Sequence, residues 1–216
     1  MHIALLHTAQ IHADTFDGLF SQMDLPISLT HHVAPDLLDT ARKQGLDAVR
    51  GDIMAALTTL ASADAVICTC STIGPVAGEF AATAPHVLRI DQPMMQAACR
   101  AGPNILVAIC LDSTRAPTLA LLHDTAKAMG ADITPEVLFC GEAWPLFEAA
   151  RFDEFAQAVA AQIRACVTQG GVDCVVLAQA SMRGAGAHLG DLGVPVLSSP
   201  QLAAERAVEI ASRNAS

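Results

Sequence analysis

Short apolar runs alternate with longer amphipathic stretches along most of the chain. Apolar runs of about four to eight residues between turn residues are typical of buried strands, and apolar positions three and four apart predict helices. Because buried strands that alternate with helices form parallel sheets covered on both faces, the pattern predicts an α/β fold. The predicted strands are residues 3–6, 27–30, 64–68, 87–90, 105–111, 132–139, 174–178 and 194–197. The predicted helices are residues 16–23, 37–45, 52–61, 73–82, 91–100, 117–129, 142–167, 182–189 and 200–213.

One segment of the chain occurs twice. Residues 64–74, DAVICTCSTIG, align with residues 173–183, DCVVLAQASMR, at an offset of 109 (173 − 64). In each copy an apolar strand ends in a turn with polar residues. The turn is Cys70-Ser71-Thr72 in the first copy and Gln179-Ala180-Ser181 in the second.

The likeness extends beyond this turn, because Val87-Leu88 and Val196-Leu197 are related by the same offset (196 − 87). A repeat over several elements predicts two similar βα halves. We expect the first half to comprise residues 1–98 with 200–216, and the second to comprise residues 99–199.

The composition excludes several classes of protein. The net charge is −10 and Lys43 and Lys127 are the only lysines, which argues against a nucleic-acid or anionic-membrane partner. No apolar run reaches the length of a membrane span and the first residues lack a basic stretch, so we expect a soluble, cytoplasmic protein. The seven cysteines form no CxxC pair and the histidines form no HxH or HExxH motif, so neither a disulfide framework nor a metal site is expected.

Polar residues follow several of the predicted strands. In open parallel sheets ligands bind outside the carboxyl ends of the strands, where backbone N–H groups at helix N-termini hold anions without a basic side chain. The chain has few cations, so we expect a carboxylate to bind at these ends, aided by hydroxyl groups. The predicted substrate-binding residues are His7, Thr8, Ser71, Thr72, Ser113, Thr114, Ala180 and Ser181.

Cys70 is the candidate catalytic thiol. A helix N-terminus after the turn favours a thiolate, which can act as a general base or as a nucleophile. A single cysteine at a strand end is otherwise a common packing residue, and Cys68, on the same side of the strand, is expected to have that role. His7 ends the first strand, and the sequence leaves open whether it handles a proton or is a structural histidine.

These residues together resemble the aspartate/glutamate racemase superfamily, which includes hydantoin racemases, maleate isomerases and arylmalonate decarboxylases. The likeness covers essentially the whole chain and rests on LLHT, LLDTARKQG, DAVICTCSTIG, VLRIDQPM, CLDSTRAPT and DCVVLAQASM. It implies two pseudosymmetric Rossmann-like (flavodoxin-like) lobes with parallel sheets and an active site in the cleft between them. It also implies catalysis without a cofactor, with two cysteines as base and acid at the α-carbon of a small carboxylate.

The resemblance places Cys70 at the first family cysteine, Ser71 and Thr72 at the residues after it, and Gln179 at the second cysteine. A glutamine amide cannot exchange a proton with carbon near neutral pH, so one-sided chemistry is expected, with Gln179 as a hydrogen-bond donor. Cys110 aligns with Thr8 at an offset of 102 (110 − 8) and is a further candidate for the second acid or base.

Three functions follow from these residues. The first is an isomerase, a racemase or epimerase of amino acids and derivatives, acting at the α-carbon of a small carboxylate through Cys70. The second is a carbon–carbon lyase with one cysteine, of the malonate-decarboxylase type. The third is a carboxylate-binding protein without catalysis, because Gln179 replaces an ionisable group. The expected partner is a small carboxylate or amino acid, and a homo-oligomer is left open.

Overall fold

Two four-stranded parallel sheets form the framework of the computed structural model, which describes residues 1–214. Each sheet belongs to one of two compact units. Unit 1 comprises residues 1–91 with the described part of residues 200–216, and unit 2 comprises residues 92–199. The predicted α/β fold with two parallel sheets is therefore confirmed, and all eight predicted strands are present.

Unit 1 has the strand order β2-β1-β3-β4, with every neighbouring pair parallel. Its strands are β1 His2–His7, β2 Ser28–Val33, β3 Ala65–Cys68 and β4 Val87–Arg89. Its helices are α1 Gln10–Ser21, α2 Pro35–Gln44, α3 Leu46–Leu60 and α4 Gly74–Ala81, together with the helix Ser199–Asn214, numbered α9, from residue 200 onward.

Unit 2 repeats this order as β6-β5-β7-β8, again all parallel. Its strands are β5 Asn104–Ile109, β6 Thr134–Phe139, β7 Cys174–Leu177 and β8 Val196–Ser198. Its α-helices are α5 Gln92–Ala101, α6 Arg115–Met129, α7 Trp144–Glu148 and α8 Phe152–Val167. Short 3₁₀ helices cover Asp112–Thr114, Gly141–Ala143 and Ala180–His188.

Side chains alternate between the two faces of the unit 1 sheet, and each face has its own core. Ala4, Leu6 and Val66 pack on one face with residues of α3. Ile3, Leu5 and Ile67 lie on the other face, where they pack with α1 and with a stripe of buried alanines in α9. The buried alanines are Ala203, Ala204, Ala207 and Ala211. Burial of both faces explains why the strands read as continuous apolar runs.

The internal repeat extends to individual hydrogen bonds. The Asp64 carboxylate accepts the His2 N–H at 2.7 Å, and the Asp173 carboxylate accepts the Asn104 N–H at 2.8 Å. A second equivalent pair joins the strand ends, where Thr69 N–H donates to the Leu6 carbonyl at 3.0 Å and Ala178 N–H to the Ala108 carbonyl at 3.1 Å. Residues of β1 and β5 correspond at an offset of 102 (104 − 2), and those of β3 and β7 at an offset of 109 (173 − 64).

Several element boundaries differ from the predictions. Helix α3 begins at Leu46 rather than at residue 52. Gly51, which suggested a helix start in the sequence, lies inside the helix, where a side chain would meet no other atom within 4 Å. The predicted helix 142–167 is interrupted after Glu148, where Ala150 adopts a positive φ of 57°. Residues 180–188 form a 3₁₀ rather than an α-helix. The predicted boundary after residue 98 falls inside α5, which lies wholly in unit 2.

Among residues 1–214, no helix has the length and hydropathy needed to cross a bilayer.

Candidate functional site

Parallel strands bring the predicted site residues of unit 1 to one edge of its sheet. Leu6 of β1 pairs with Cys68 of β3, so His7 and Thr8 leave β1 at the level where Thr69 and Cys70 leave β3. In unit 2 the pairing of Ala108 with Leu177 places Cys110 and Gln179 at the corresponding edge of the second sheet. Each unit therefore presents part of the predicted site at the carboxyl ends of its own strands.

Cys70 lies two residues beyond β3 and retains 8% of its surface exposed. Cys68 is fully buried in the same apolar cluster, with its sulfur 3.8 Å from the carbonyl oxygen of Cys70. Burial raises the pKa of the Cys68 thiol to about 12, so Cys68 stays protonated at neutral pH. Of the two, only Cys70 reaches solvent.

The turn after Cys70 carries the predicted polar groups. Ser71 and Thr72 are exposed, Ile73 is buried and holds the turn to the core, and Gly74 N–H donates to the Ser71 carbonyl at 3.2 Å. The N–H groups of Ser71, Thr72 and Ile73 have no acceptor within the described chain. They precede α4, whose dipole adds positive potential at this end. The turn can therefore donate to an anion beside Cys70.

Arg89, which is not among the predicted site residues, packs against Gly74 at the end of this turn. Its Nε and Nη2 atoms donate to the two Asp91 carboxylate oxygens at 2.5 and 2.8 Å. A Cβ added at Gly74 would lie 3.1 Å from Arg89 Nε, so the first residue of α4 is a glycine against which the guanidinium packs. Because Asp91 already neutralises it, Arg89 fixes the turn and is not a free cation for a substrate.

His7 is fully buried and both of its ring nitrogens have partners. Nδ1 lies 2.8 Å from the Thr69 hydroxyl oxygen, and Nε2 lies 2.8 Å from Nδ1 of His31. Nε2 of His31 in turn lies 3.1 Å from a carboxylate oxygen of Asp17. Since the Thr69 hydroxyl donates to the Leu6 carbonyl at 3.0 Å, His7 Nδ1–H donates to Thr69 and His7 Nε2 accepts from His31. With both nitrogens engaged, His7 has none left for the predicted contact with a substrate.

The electrostatic surroundings keep His7 neutral. Burial, with the charges of His31 and His12, lowers the pKa of His7 to about 3. Thr69, the residue before Cys70, is thus bonded through its hydroxyl to a neutral imidazole, and this bond links the end of β3 to the end of β1. Of the two interpretations left open by the sequence, this geometry favours the structural one.

Gln179 is held by backbone groups of its own unit. Its side-chain oxygen accepts the Cys110 N–H at 2.6 Å and the Leu111 N–H at 3.2 Å. The side-chain NH₂ group has no partner among residues 1–214, so it is available as a donor. Ala180 and Ser181 follow at the start of the 3₁₀ segment and are partly exposed.

Ser113 and Thr114 lie in the 3₁₀ segment after β5, where Ser113 is exposed and Thr114 partly exposed. Cys110, the other candidate acid or base, is 1% exposed and belongs to the apolar core of unit 2. Burial and the neighbouring Cys140 raise the pKa of the Cys110 thiol to about 12. A buried thiol that stays protonated does not suit proton exchange with a substrate, so the structure argues against a catalytic Cys110.

No group of three or more His, Cys, Asp or Glu side chains in the described chain is placed to hold a metal ion.

Comparisons with known proteins connect this geometry to one family. The sequence profile described as Asp/Glu/hydantoin racemase matches residues 8–207. No match was found among curated protein sequences.

Solved structures share the fold at low sequence identity. An aspartate racemase homologue from Pyrococcus horikoshii OT3 has a TM-score of 0.72 at 15% identity, with 98% of this chain and 99% of that chain covered. Allantoin racemase from Pseudomonas fluorescens has a TM-score of 0.61 at 16% identity, with 99% and 92% covered. An arylmalonate decarboxylase variant in a sulfate-associated form has a TM-score of 0.64 at 16% identity, with 98% and 94% covered.

Proposed function

The chain belongs to the Asp/Glu/hydantoin racemase family, and from this premise we propose that it is a cofactor-independent isomerase acting at the α-carbon of a small carboxylate or amino acid. The observation that carries the proposal is Cys70, which keeps 8% of its surface exposed at the edge of the unit 1 sheet and is followed by a turn of free N–H donors. Cys70 is the catalytic base, and Gln179 is a hydrogen-bond donor.

The proposed chemistry is one-sided. The Cys70 thiolate takes the proton from the substrate α-carbon, and the electron pair of the broken C–H bond moves into the carboxylate as an enolate. Backbone N–H donors in the turn at Ser71, Thr72 and Ile73 stabilise the added negative charge. The Cys70 thiol then returns a proton to carbon. Return of the proton by Cys70 retains the configuration, and inversion takes place when water protonates the enolate carbon on the opposite face and the Cys70 thiol releases its proton to solvent. Because Gln179 cannot donate a proton to carbon, the wild-type protein exchanges the α-hydrogen faster than it inverts the centre.

Solvent exchange tests this function directly. The protein is incubated in heavy water with a panel of small amino and hydroxy acids, and deuterium at the α-position is followed by NMR. Cys70→Ala is expected to lower the exchange rate at least about a hundredfold, as loss of a proton-transfer group does. Cys99→Ala, at a partly exposed cysteine in helix α5, is the matched control and keeps the rate. Undiminished exchange in Cys70→Ala would refute the role of Cys70.

A binding function without turnover is the second candidate, and the position of Gln179 favours it. At the place of the second family cysteine this side chain carries no ionisable group, and its oxygen is already bound to the Cys110 and Leu111 N–H groups. Thermal stabilisation by carboxylates with no deuterium uptake from any substrate in the panel would select this function. Release of carbon dioxide from a malonate would select the lyase instead.

A further inference from the structure

Four polar side chains of unit 1 form a hydrogen-bonded chain, the histidine chain, which runs from the surface to the edge of the sheet. Asp17 bonds to His31 at 3.1 Å, His31 bonds to His7 at 2.8 Å, and His7 bonds to the Thr69 hydroxyl at 2.8 Å. The Asp17 and His31 side chains are 61% and 20% exposed, whereas His7 is fully buried. The histidine chain therefore meets solvent at one end and reaches the residue before Cys70 at the other.

The fold does not require polar side chains at these positions. The internal repeat and the strand register give the equivalent positions of unit 2, where apolar residues replace the two histidines and the threonine, namely Ile109, Val137 and Ala178. Burying a polar group costs free energy unless it is hydrogen-bonded. A polar chain at positions where apolar side chains build the same sheet indicates a role other than packing.

The direction of the hydrogen bonds sets the number of protons on His31. With the Thr69 hydroxyl donating to the Leu6 carbonyl, His7 donates from Nδ1 and accepts at Nε2. His31 must then donate from Nδ1 to His7 and from Nε2 to the Asp17 carboxylate, which only accepts. A histidine that donates from both nitrogens is an imidazolium cation. This direction therefore belongs to a protonated His31.

The opposite direction fits the same heavy-atom positions with one proton fewer. A neutral His31 keeps Nε2–H for Asp17, so its Nδ1 accepts from His7 Nε2–H. Nδ1 of His7 then accepts from the Thr69 hydroxyl, which turns away from the Leu6 carbonyl. That carbonyl keeps the Thr69 N–H at 3.0 Å. Every member of the histidine chain has a partner in both directions, and His7 is neutral in both.

The groups around His31 make it the member of the chain that changes charge. Strand β1 contributes His7 to this face, and helix α1 contributes Asp17 and His12. Burial lowers the pKa of His7 to about 3 and also lowers the pKa of His12, so neither competes for a proton near neutral pH. His31 is partly exposed and bonded to a carboxylate, so it is the ring that takes up a proton from solvent.

We propose that the histidine chain is a pH-sensitive switch, in which one proton bound by His31 at the surface reverses both hydrogen bonds of His7. The His7 proton moves from Nε2 to Nδ1, and the Thr69 hydroxyl turns from His7 to the Leu6 carbonyl. One proton is exchanged with solvent, and no bond between heavy atoms changes. The switch thus carries the charge state of the unit 1 surface to the residue before Cys70. It needs nothing from the proposed reaction, because it is measured on the histidines themselves.

The tautomer of His7 is the readout. Nitrogen NMR of protein with isotope-labelled histidine distinguishes a protonated from an unprotonated ring nitrogen. In wild-type protein between about pH 5 and 8, where histidines titrate, His7 is expected to carry its proton on Nδ1 at low pH and on Nε2 at high pH. The change should share its midpoint with the second protonation of His31. A His7 tautomer that stays the same over this range would overturn the proposal.

Variants locate the group that operates the switch. His31→Gln keeps a donor and an acceptor but has no titrating ring, so it is expected to remove the pH dependence of the His7 tautomer. His32→Gln, at the exposed histidine next to it in β2, is the matched control and should keep the wild-type change. Asp17→Asn should lower the midpoint by about half a pH unit or more, because the carboxylate favours the charged ring.

A His7 change that persists in a folded His31→Gln, or a midpoint that Asp17→Asn leaves unmoved, would contradict the proposed switch. If His31→Gln fails to fold, the wild-type titration decides alone, since it reports the tautomer of His7 directly.

Discussion

Nε2 of His7 lies 2.8 Å from Nδ1 of His31, and the two imidazole rings are stacked with their centroids 5.1 Å apart. The first ring is fully buried at the end of β1, and the second is bonded to the exposed Asp17 carboxylate on α1. Because His7 is also bonded to Thr69, the residue before the candidate catalytic cysteine, this contact connects that residue to the surface of unit 1.

Acid should destabilise the protein through His7. The pKa of His7 is about 3 in the folded protein and 6.5 in the unfolded chain, so between these values the unfolded state binds more protons. Stability therefore falls as pH falls from about 6.5, by at most about 1.4 kcal/mol per pH unit from this group. Urea unfolding at a series of pH values from 7 to about 4.5 measures the slope.

His7→Gln removes the titrating group and should give a shallower dependence on pH, although the variant is less stable at pH 7. His123→Gln, at an exposed histidine on α6, serves as the control and should keep the wild-type slope. If His7→Gln and wild-type protein lose stability equally on acidification, the buried neutral imidazole is not responsible.

Thr69→Val should destabilise unit 1. Its hydroxyl is buried and joins the Leu6 carbonyl to His7 Nδ1, so valine leaves a buried imidazole nitrogen without a partner at a cost of about 1–3 kcal/mol. Thr69→Ser retains the hydroxyl and should recover most of the loss. Urea unfolding gives the free energies, and equal losses in the two variants would show that packing of the threonine methyl group, not the hydrogen bond, is what matters.

Two glycines of α4 should respond in opposite directions to alanine. At Gly74 the new Cβ would lie 3.1–3.3 Å from the Arg89 guanidinium, which Asp91 holds in place, so Gly74→Ala should lower the melting temperature. At Gly78 the nearest atom is Arg89 Cδ at 3.7 Å, an ordinary contact. Gly78→Ala should therefore stabilise the helix by roughly 0.5–1 kcal/mol. Stabilisation by both substitutions would show that Arg89 moves freely.

Alkylation should distinguish Cys70, which reaches solvent, from the buried Cys68 and Cys110. Cys70 reaches solvent, whereas burial raises the pKa of both Cys68 and Cys110 to about 12. Iodoacetamide at pH 8 should therefore modify Cys70 while the fold is intact, and Cys68 and Cys110 only after unfolding. Peptide mass spectrometry measures each site. Rapid modification of Cys110 in the folded protein would restore it as a candidate acid or base.

The strands were predictable because burial on both faces leaves a continuous apolar run in the sequence. Helix starts were harder, since Gly51 resembles a boundary in sequence yet lies within α3. The His7–His31 contact could not be foreseen, because His31 pairs in register with Leu5 and meets His7 only diagonally across neighbouring strands. The Gln179 contact was likewise hidden, since it depends on a side-chain rotamer that the tertiary structure selects.

The buried alanines of α9 tie the first strands of unit 1 to the last helix of the described chain. On the ribosome, Ile3, Leu5 and Ile67 are made before unit 2, but the alanines that cover them emerge only after it. Unit 2, continuous in sequence, can close while unit 1 still exposes one apolar face of its sheet. We therefore expect unit 2 to complete its core before unit 1, which carries Cys70, in the reverse of the N-terminal-first order usual for domains.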